Sequence, residues 1–310
     1  MNDLVHRTLF VAVAGSRAQG LHRPDSDVDL RGVAVPRPAE LLGYRNRFEQ
    51  ADAPSSLRGF IAHLNPQERE AAAQHKVEGS IYAIAKFARL AADANPSILE
   101  ALFCRDQEVR LCTALGHRLR EARSGFLSMR AGQTFSQYGL QQLKRIQAHR
   151  RWLEAPPGGP PDRRAAGLSA RPARNPTADE VAAEARHARE VRTWRQYQMW
   201  LQKRNAERAA LESAHGYDTK HGAHLVRLLR MGREILETGH VHVWRGDRDA
   251  DELKAIRAGA WSYERMVSWA ETEAAAVRDI AHPVVPPQPD HAGLDALIVD
   301  LQRRALFGER

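Results

Sequence analysis

Cysteine is nearly absent: Cys104 and Cys112 are the only two in 310 residues. Two thiols make neither a disulfide framework nor a zinc site, and so sparing a use fits a reducing cytoplasm. Both read as core or near-core residues, since free cysteine is among the most buried types. No apolar run approaches the roughly 18–20 residues that cross a bilayer, so no membrane partner is expected. The opening MNDLVHRTLF has too short an apolar part for a signal peptide and leads straight into a strand pattern. No internal repeat is visible. What remains is a chain with 43% apolar residues, enough for a sizeable core, and a length that allows two domains.

Acidic residues are scarce in one region only. Residues 1–115 hold 14 Lys and Arg against 14 Asp and Glu, residues 116–240 hold 23 against 12, and residues 241–310 hold 9 against 12. The net charge of +8 therefore has its source in the middle of the chain. Such a block can attract a polyanion. A solvated, Arg-rich helical surface would give the same count.

TLFVAVAG (8–15) reads as a buried strand closed by Gly15. DVDLRGVAV (27–35) reads as a second strand, ended by Pro36 and Pro38. LRGFIAHL, within residues 37–68, is open between strand and short helix. AAAQHKVEGS (71–80) reads as a third strand ending near Glu78, and residues 80–94 as an amphipathic helix with Ile81, Ile84, Phe87, Ala88 and Ala91 on one face. Asn95-Pro96 breaks that helix and Pro96 opens the next. After EVRLCT the pattern changes to long helices. They are expected over 130–154, from Thr177 to about 213, from Tyr217 to about Leu236 with Gly239 as the stop, and over 250–258, 261–281 and 292–306. Thr177 and Glu180 make a capping box. Residues 155–176, rich in Pro, Gly and Arg, read as a linker or loop. The order predicts an α+β protein: a catalytic domain over 1–115, then an all-helical domain over 116–310.

Asp27 and Asp29 lie two apart, so on a strand they share a face. Two carboxylates on one face repel unless something positive lies between them. Hard oxygen ligands select Mg2+ or Mn2+, and a third carboxylate allows two ions about 4 Å apart, the arrangement for in-line displacement at phosphorus. Glu78 is the candidate third ligand. Gly15 lets backbone approach a phosphate, Ser16 offers a hydroxyl and an N–H to an anion, and Arg17 can add charge. A surface hairpin with solvated acids is the bland alternative.

Gly15-Ser16, ten residues, then Asp27-x-Asp29: GSRAQGLHRPDSDVDL resembles the signature of the DNA polymerase beta-like nucleotidyltransferase superfamily. GSRAQGLHRPDSDVDLRGV, KFARLAADANPSILEALF, FSQYGLQQLKRIQAHRRWL, YDTKHGAHLVRLLRMGREIL and IRAGAWSYE together resemble, within it, the predicted nucleotidyltransferases associated with RNA ligases and RNA repair. The matches are spread from about residue 9 to 269. The resemblance implies a palm-like fold, Mg2+-dependent nucleotidyl transfer from an NTP, and an RNA-repair setting with RNA-repair enzymes as partners. It also implies that the helical domain packs beside the palm and closes the nucleotide cleft.

A second constellation lies in YDTKHGAHLVRLLRMG (217–232). Lys220, His224 and Arg227 fall at i, i+4 and i+7, one continuous helix face suited to a triphosphate or an RNA backbone. His221, Leu225, Leu228 and Leu229 are expected to look elsewhere, and Asp218 to pair structurally with a cation. In QYGLQQLKRIQAHRRW (137–152), Lys144, Arg145, Arg150 and Arg151 can track phosphates while Tyr138 or Trp152 stacks. Leu140, Leu143 and Ile146 as core, with the charges solvated, is the equal alternative. In 186–204, Val191, Trp194, Tyr197 and Leu201 read as a core stripe. Lys86 reads as an exposed lysine.

The expectation is a two-metal nucleotidyltransferase that uses an NTP and an RNA 3′ end, of tRNA or of a broken RNA. Two rivals stay open: transfer of AMP to a protein hydroxyl, as in antitoxin-type relatives, and a non-catalytic RNA- or nucleotide-binding module.

Overall fold

The structure, a computed structural model, describes residues 3–171, 174, 176–204 and 206–308. Its strands are β1 (Thr8–Ala14), β2 (Val28–Ala34), β3 (Gln50–Ala51), β4 (Val77–Ala83) and β5 (Val109–Cys112), joined in one sheet of order β3-β4-β2-β1-β5. β1 is buried along its whole length, as its unbroken apolar run requires. It pairs antiparallel with β2 and β5, whereas β2 and β4 run parallel. A parallel pair needs a long crossover, and residues 35–76 supply it. Leu57, Phe60 and Leu64 of that crossover pack with Val11, Val13, Leu30 and Ile81 of the sheet.

The helices that frame the site and its supports are α1 (Gly15–Ala18), α2 (Ile84–Ala92), α3 (Pro96–Phe103), α4 (Met129–Glu154), α5 (Ala178–Lys203), α6 (Ala206–His215), α7 (Thr219–Thr238), α8 (Ala250–Arg257), α9 (Tyr263–Arg278) and α10 (His291–Phe307). The α+β architecture read from the sequence is observed: a small mixed sheet with its helices, then helices alone. The two parts share a core. Leu9 of β1 and Val33 of β2 belong to one cluster with Phe87, Leu99, Phe135, Met231 and Leu301. No helix among the described residues is long and apolar enough to cross a membrane.

Several expected boundaries move. Residues 66–74 are helical, not part of a strand. Asn65 Oδ1 accepts from the Glu68 N–H at 2.8 Å, and Glu68 Oε2 accepts from the Asn65 N–H at 3.1 Å. With Pro66 in the first turn and an alanine run behind it, this capping box outweighs any strand tendency. β4 therefore begins at Val77, so Glu78 stands near its start rather than its end. Ile81 is a buried strand residue, and α2 begins only at Ile84. LRGFIAHL, which the sequence allows to be strand or helix, is helical turn throughout most of its length.

The helix expected from Thr177 to about 213 is two helices, α5 and α6. Arg204 is extended, and its Nε donates back to Glu212 at 2.6 Å. Asn205, which that expectation covered, lies outside the described residues, as do 172, 173 and 175 of the 155–176 segment. The described remainder of that segment is neither helix nor strand. The capping box at Thr177 and Glu180 is present. The core stripe expected in 186–204 is not: His187 is the only buried residue described in α5. Trp194, Tyr197 and Trp200 instead meet Trp152 and His149 of α4 in a half-buried aromatic cluster.

The packing that matters most for the site is α4 against α7. The two approach closely because glycine stands at the contacts. A methyl group on Gly132 would meet Leu236 Cδ2 at 2.7 Å and the Gly232 carbonyl at 2.8 Å, and one on Gly139 would meet Leu229 Cγ at 3.1 Å. α7 is fixed at its start by Asp218, whose carboxylate accepts from the N–H groups of Lys220 and His221 at 3.0 and 3.1 Å. It stops at Gly239 in the left-handed conformation. Overpacking a tight contact of this kind typically costs about 1–3 kcal/mol. Gly132→Ala is therefore expected to lower stability by that amount, read as a lower urea midpoint with an unchanged slope.

Candidate active site

The sheet register brings the predicted acids to one end of the sheet. Ala14, the last residue of β1, pairs with Asp29, and Asp29 pairs with Glu78 across the parallel β2–β4 ladder. Gly15 follows at φ +60°, where a side chain is strained, and a Cβ there would collide with the Asp29 carboxylate. Gly15 thus makes room for Asp29 itself. Arg17 is occupied: Nη2 donates to the Ser26 carbonyl at 2.8 Å and Nε to the Asp27 carbonyl at 3.1 Å. It secures the chain entering β2.

A cavity of about 590 Å3 lies between this end of the sheet and helices α4, α7 and α8. Gly15, Ser16, Asp27 and Asp29 form the acidic wall, and Lys220, His224 and Arg227 the opposite one. Of the residues expected to serve metal, nucleotide and catalysis, Glu78 and Arg17 do not line it. Glu78 is exposed on the neighbouring strand. Among the described residues, no group of three or more His, Cys, Asp and Glu side chains is arranged to hold a metal ion; the cavity wall carries the pair Asp27 and Asp29, with Asp25 and Glu207 also lining it.

The charge balance at that pair is unfavourable. Asp29 is held above the ordinary carboxylate range, first by burial, and further by Glu78 and Asp27, against the opposing pull of Arg31 and Lys220. Neither the Asp27 nor the Asp29 carboxylate has a hydrogen-bond or ion-pair partner among the described residues. The site is short of positive charge. Hard oxygen donors with unsatisfied negative charge are what a divalent cation such as Mg2+ requires.

The α7 wall is less uniformly cationic than the stripe suggests. Lys220 is exposed, with its ammonium unpaired among the described residues. Arg227 is 2% exposed and engaged: Nη1 donates to Glu100 Oε1 at 2.7 Å, and Nη2 lies 3.1 Å from His224 Nδ1. Glu100 also accepts from Gln19 Nε2 at 2.7 Å, so a buried chain of polar contacts runs from the residue after α1 to the middle of α7. An arginine only donates. His224 Nδ1 must then be the acceptor, which leaves its proton on Nε2. His221, expected to look elsewhere, lines the cavity too, 3.0 Å from Arg208 Nη1. Burial and the neighbouring arginines push His224 down to about 3; burial above all, partly offset by Asp218, pushes His221 down to about 4. Both are neutral at about pH 7. Asp218 pairs with Arg208 at 3.3 Å, the structural role expected of it.

Of the residues expected to touch RNA, only Arg145 lines the cavity. Lys144 and Arg151 are exposed on α4. Arg150 is held by Glu154 at 2.8 Å and Glu264 at 3.6 Å and lies over the Tyr263 ring. Trp152 belongs to the aromatic cluster, while Tyr138 is exposed. Lys86 is 3.7 Å from Glu49. The sequence reading missed Arg23, Gln142, Arg208, Lys254 and Arg257, all in the cavity wall. Gln142 shares one side of α4 with Arg145, a usable signal. Lys254 and Arg257 had none, because only tertiary packing sets α8 beside the palm.

A small mixed sheet that carries Gly-Ser at the end of one strand and Asp-x-Asp on the next is a polymerase-beta-like palm. Residues 2–155 match the RNA repair pathway DNA polymerase beta family. No curated protein and no solved structure matches the chain.

Because His221 and His224 have folded pKa values below the usual 6.5, the unfolded chain binds more protons than the native one as pH falls below that value. Stability is therefore lost from about pH 6.5 downwards, by about 1.4 kcal/mol per pH unit for each histidine. Urea midpoints should fall between about pH 7.5 and about pH 5, and the fall should be shallower in His224→Gln.

Proposed function

We propose that the chain transfers a nucleoside monophosphate from an NTP to a hydroxyl at an RNA 3′ end, of tRNA or of broken RNA, and releases pyrophosphate. The observation that carries this reading is the pair of carboxylates Asp27 and Asp29, without partners among the described residues, facing a basic wall across one cavity. Asp27 and Asp29 would hold Mg2+ or Mn2+; Glu78, in register beside Asp29 on the adjoining strand but off the cavity wall, would have to turn inward to complete a two-ion site as the third carboxylate. Bound there, such ions neutralise phosphate charge and acidify an attacking hydroxyl.

The chain's own groups account for binding and alignment. Ser16, beside the strained Gly15 turn, offers its hydroxyl and backbone N–H to the β- and γ-phosphates. Lys220 is the cavity-lining cation whose charge reaches Asp29, and it neutralises the same phosphates. His224 presents a neutral Nε2–H, a donor that does not titrate near neutral pH. Arg227 acts as a positioning residue through Glu100 and His224. The acceptor oxygen attacks the α-phosphorus, the bond from that phosphorus to the pyrophosphate oxygen breaks, and pyrophosphate leaves. The match of residues 2–155 to an RNA-repair family and the basic excess of residues 116–240 favour RNA as the acceptor over a protein hydroxyl.

Losing either aspartate removes several kcal/mol of transition-state stabilisation, on the order of a thousandfold in rate. Asp27→Ala and Asp29→Ala are expected to abolish incorporation of α-labelled NTP into RNA oligonucleotides with 3′-OH ends. Their melting temperatures should equal or exceed wild type, since a repulsive pair is relieved. Gly15→Ala should behave like Asp29→Ala in activity. Label transferred to protein instead of RNA would favour the AMP-transferase reading; RNA binding without pyrophosphate release by the wild type would leave only a binding module.

A further inference from the structure

Most cations lining the cavity are already engaged. Arg227 holds Glu100, Arg208 holds Asp218, and Arg23 holds Glu207 and Asp25. The side chains of Lys220, Lys254 and Arg257 have no hydrogen-bond or ion-pair partner among the described residues. These three belong to two different places. Lys220 sits at the carboxylate end, where its charge acts on Asp29. Lys254 and Arg257 are three residues apart on α8 and so share a face. Their surroundings are the loop between α1 and β2 and the starts of α6 and α7: Lys254 acts on His22, and Arg257 is influenced by Arg23, Glu207, Asp25 and Asp218.

Arg257 is also incompletely satisfied. Its Nε is buried with no acceptor among the described residues; the guanidinium is repelled by Arg23, and Glu207, Asp25 and Asp218, which act the other way, are not in ion-pair contact with it. A half-buried cation beside another cation is costly unless an anion sits with it.

We propose that Lys254 and Arg257 form a second anion subsite, separate from the carboxylate end, which takes a backbone phosphate of the RNA acceptor strand and not the phosphates of the NTP. This rests on the reading of the cavity as a nucleotidyltransferase cleft. The NTP phosphates belong with Ser16, Lys220 and the aspartates. A strand that brings its 3′ hydroxyl to the same cavity carries phosphates a nucleotide or more from that hydroxyl, and these need counter-charges away from the acidic wall. Lysine supplies a point charge and arginine a fork for a phosphate.

The test uses the full chain with Lys254→Gln, Arg257→Gln and both together. Binding of a fluorescent single-stranded RNA is followed by anisotropy across a salt series, with EDTA and no NTP. NTP binding is followed separately by equilibrium dialysis with Mg2+. RNA affinity should fall roughly tenfold for each cation removed, and the salt slope should shrink by roughly 0.7 for each cation that no longer neutralises a phosphate. NTP affinity should stay within about twofold, on the scale where one charge-assisted phosphate bond is worth roughly tenfold. Lys220→Gln should show the reverse pattern, and Arg257→Lys should retain most RNA binding, which separates loss of charge from loss of structure. An unchanged RNA affinity and slope in the double variant, or a loss confined to NTP, overturns the subsite. If the wild type transfers nothing to RNA yet its salt-dependent RNA binding is lost in the double variant, the transfer reading fails and the subsite stands. If it transfers normally and the double variant keeps its KM for RNA, the subsite alone fails.

Discussion

The site depends on one unfavourable interaction. Asp29 is a half-buried carboxylate with Asp27 two residues away, Glu78 in register on the next strand, and no partner among the described residues. Left to itself, such a cluster repels. It persists because the strand that carries it is anchored elsewhere: Val28 and Leu30, on either side of Asp29, are fully buried, and β2 lies between β1 and β4 with both ladders satisfied. Hydrophobic burial of this extent, worth roughly 1.5–3 kcal/mol per large aliphatic side chain, outweighs a repulsion between partly solvated charges. The energy stored in the uncompensated carboxylates is available to a cation.

The opposite wall is held by different means. α7 is set against α4 through contacts that only glycine permits, and its register is then tied to the palm by the buried chain Gln19–Glu100–Arg227–His224. Arg227 thus serves the cleft by geometry. With its guanidinium saturated it has little left to offer a substrate, whereas Lys220, about two turns earlier on the same helix, has its whole charge available. Two basic residues that look equivalent on a helical wheel are separated by what lies behind them.

Much of this is legible in the residues. The burial of β1, the glycine turn before Ser16, the capping box at Thr177 and the stop at Gly239 all follow from local chemistry, and all are observed; Asp27 and Asp29 line one cavity, although Asp27 stands just ahead of β2 and not on it. The departures have local causes too. Ala71, Ala72 and Ala73 read with the strand that follows unless the Asn65–Glu68 box is weighed against it. Trp194 and Tyr197 look like core because aromatic spacing on a helix cannot tell a buried face from a cluster that two long helices share at the surface. His221 looks averted because the cavity spans a wider arc of α7 than one stripe.

By itself the sequence determined the chemistry available at the sheet edge, because strand period, turn glycine and carboxylate spacing are all set within some fifteen contiguous residues. Which cations face those carboxylates was decided only by tertiary structure. Lys254 and Arg257 reach the cavity from more than two hundred residues away along the chain, and whether an arginine is available or saturated depends on the partners that packing brings to it. No periodicity within a helix encodes that.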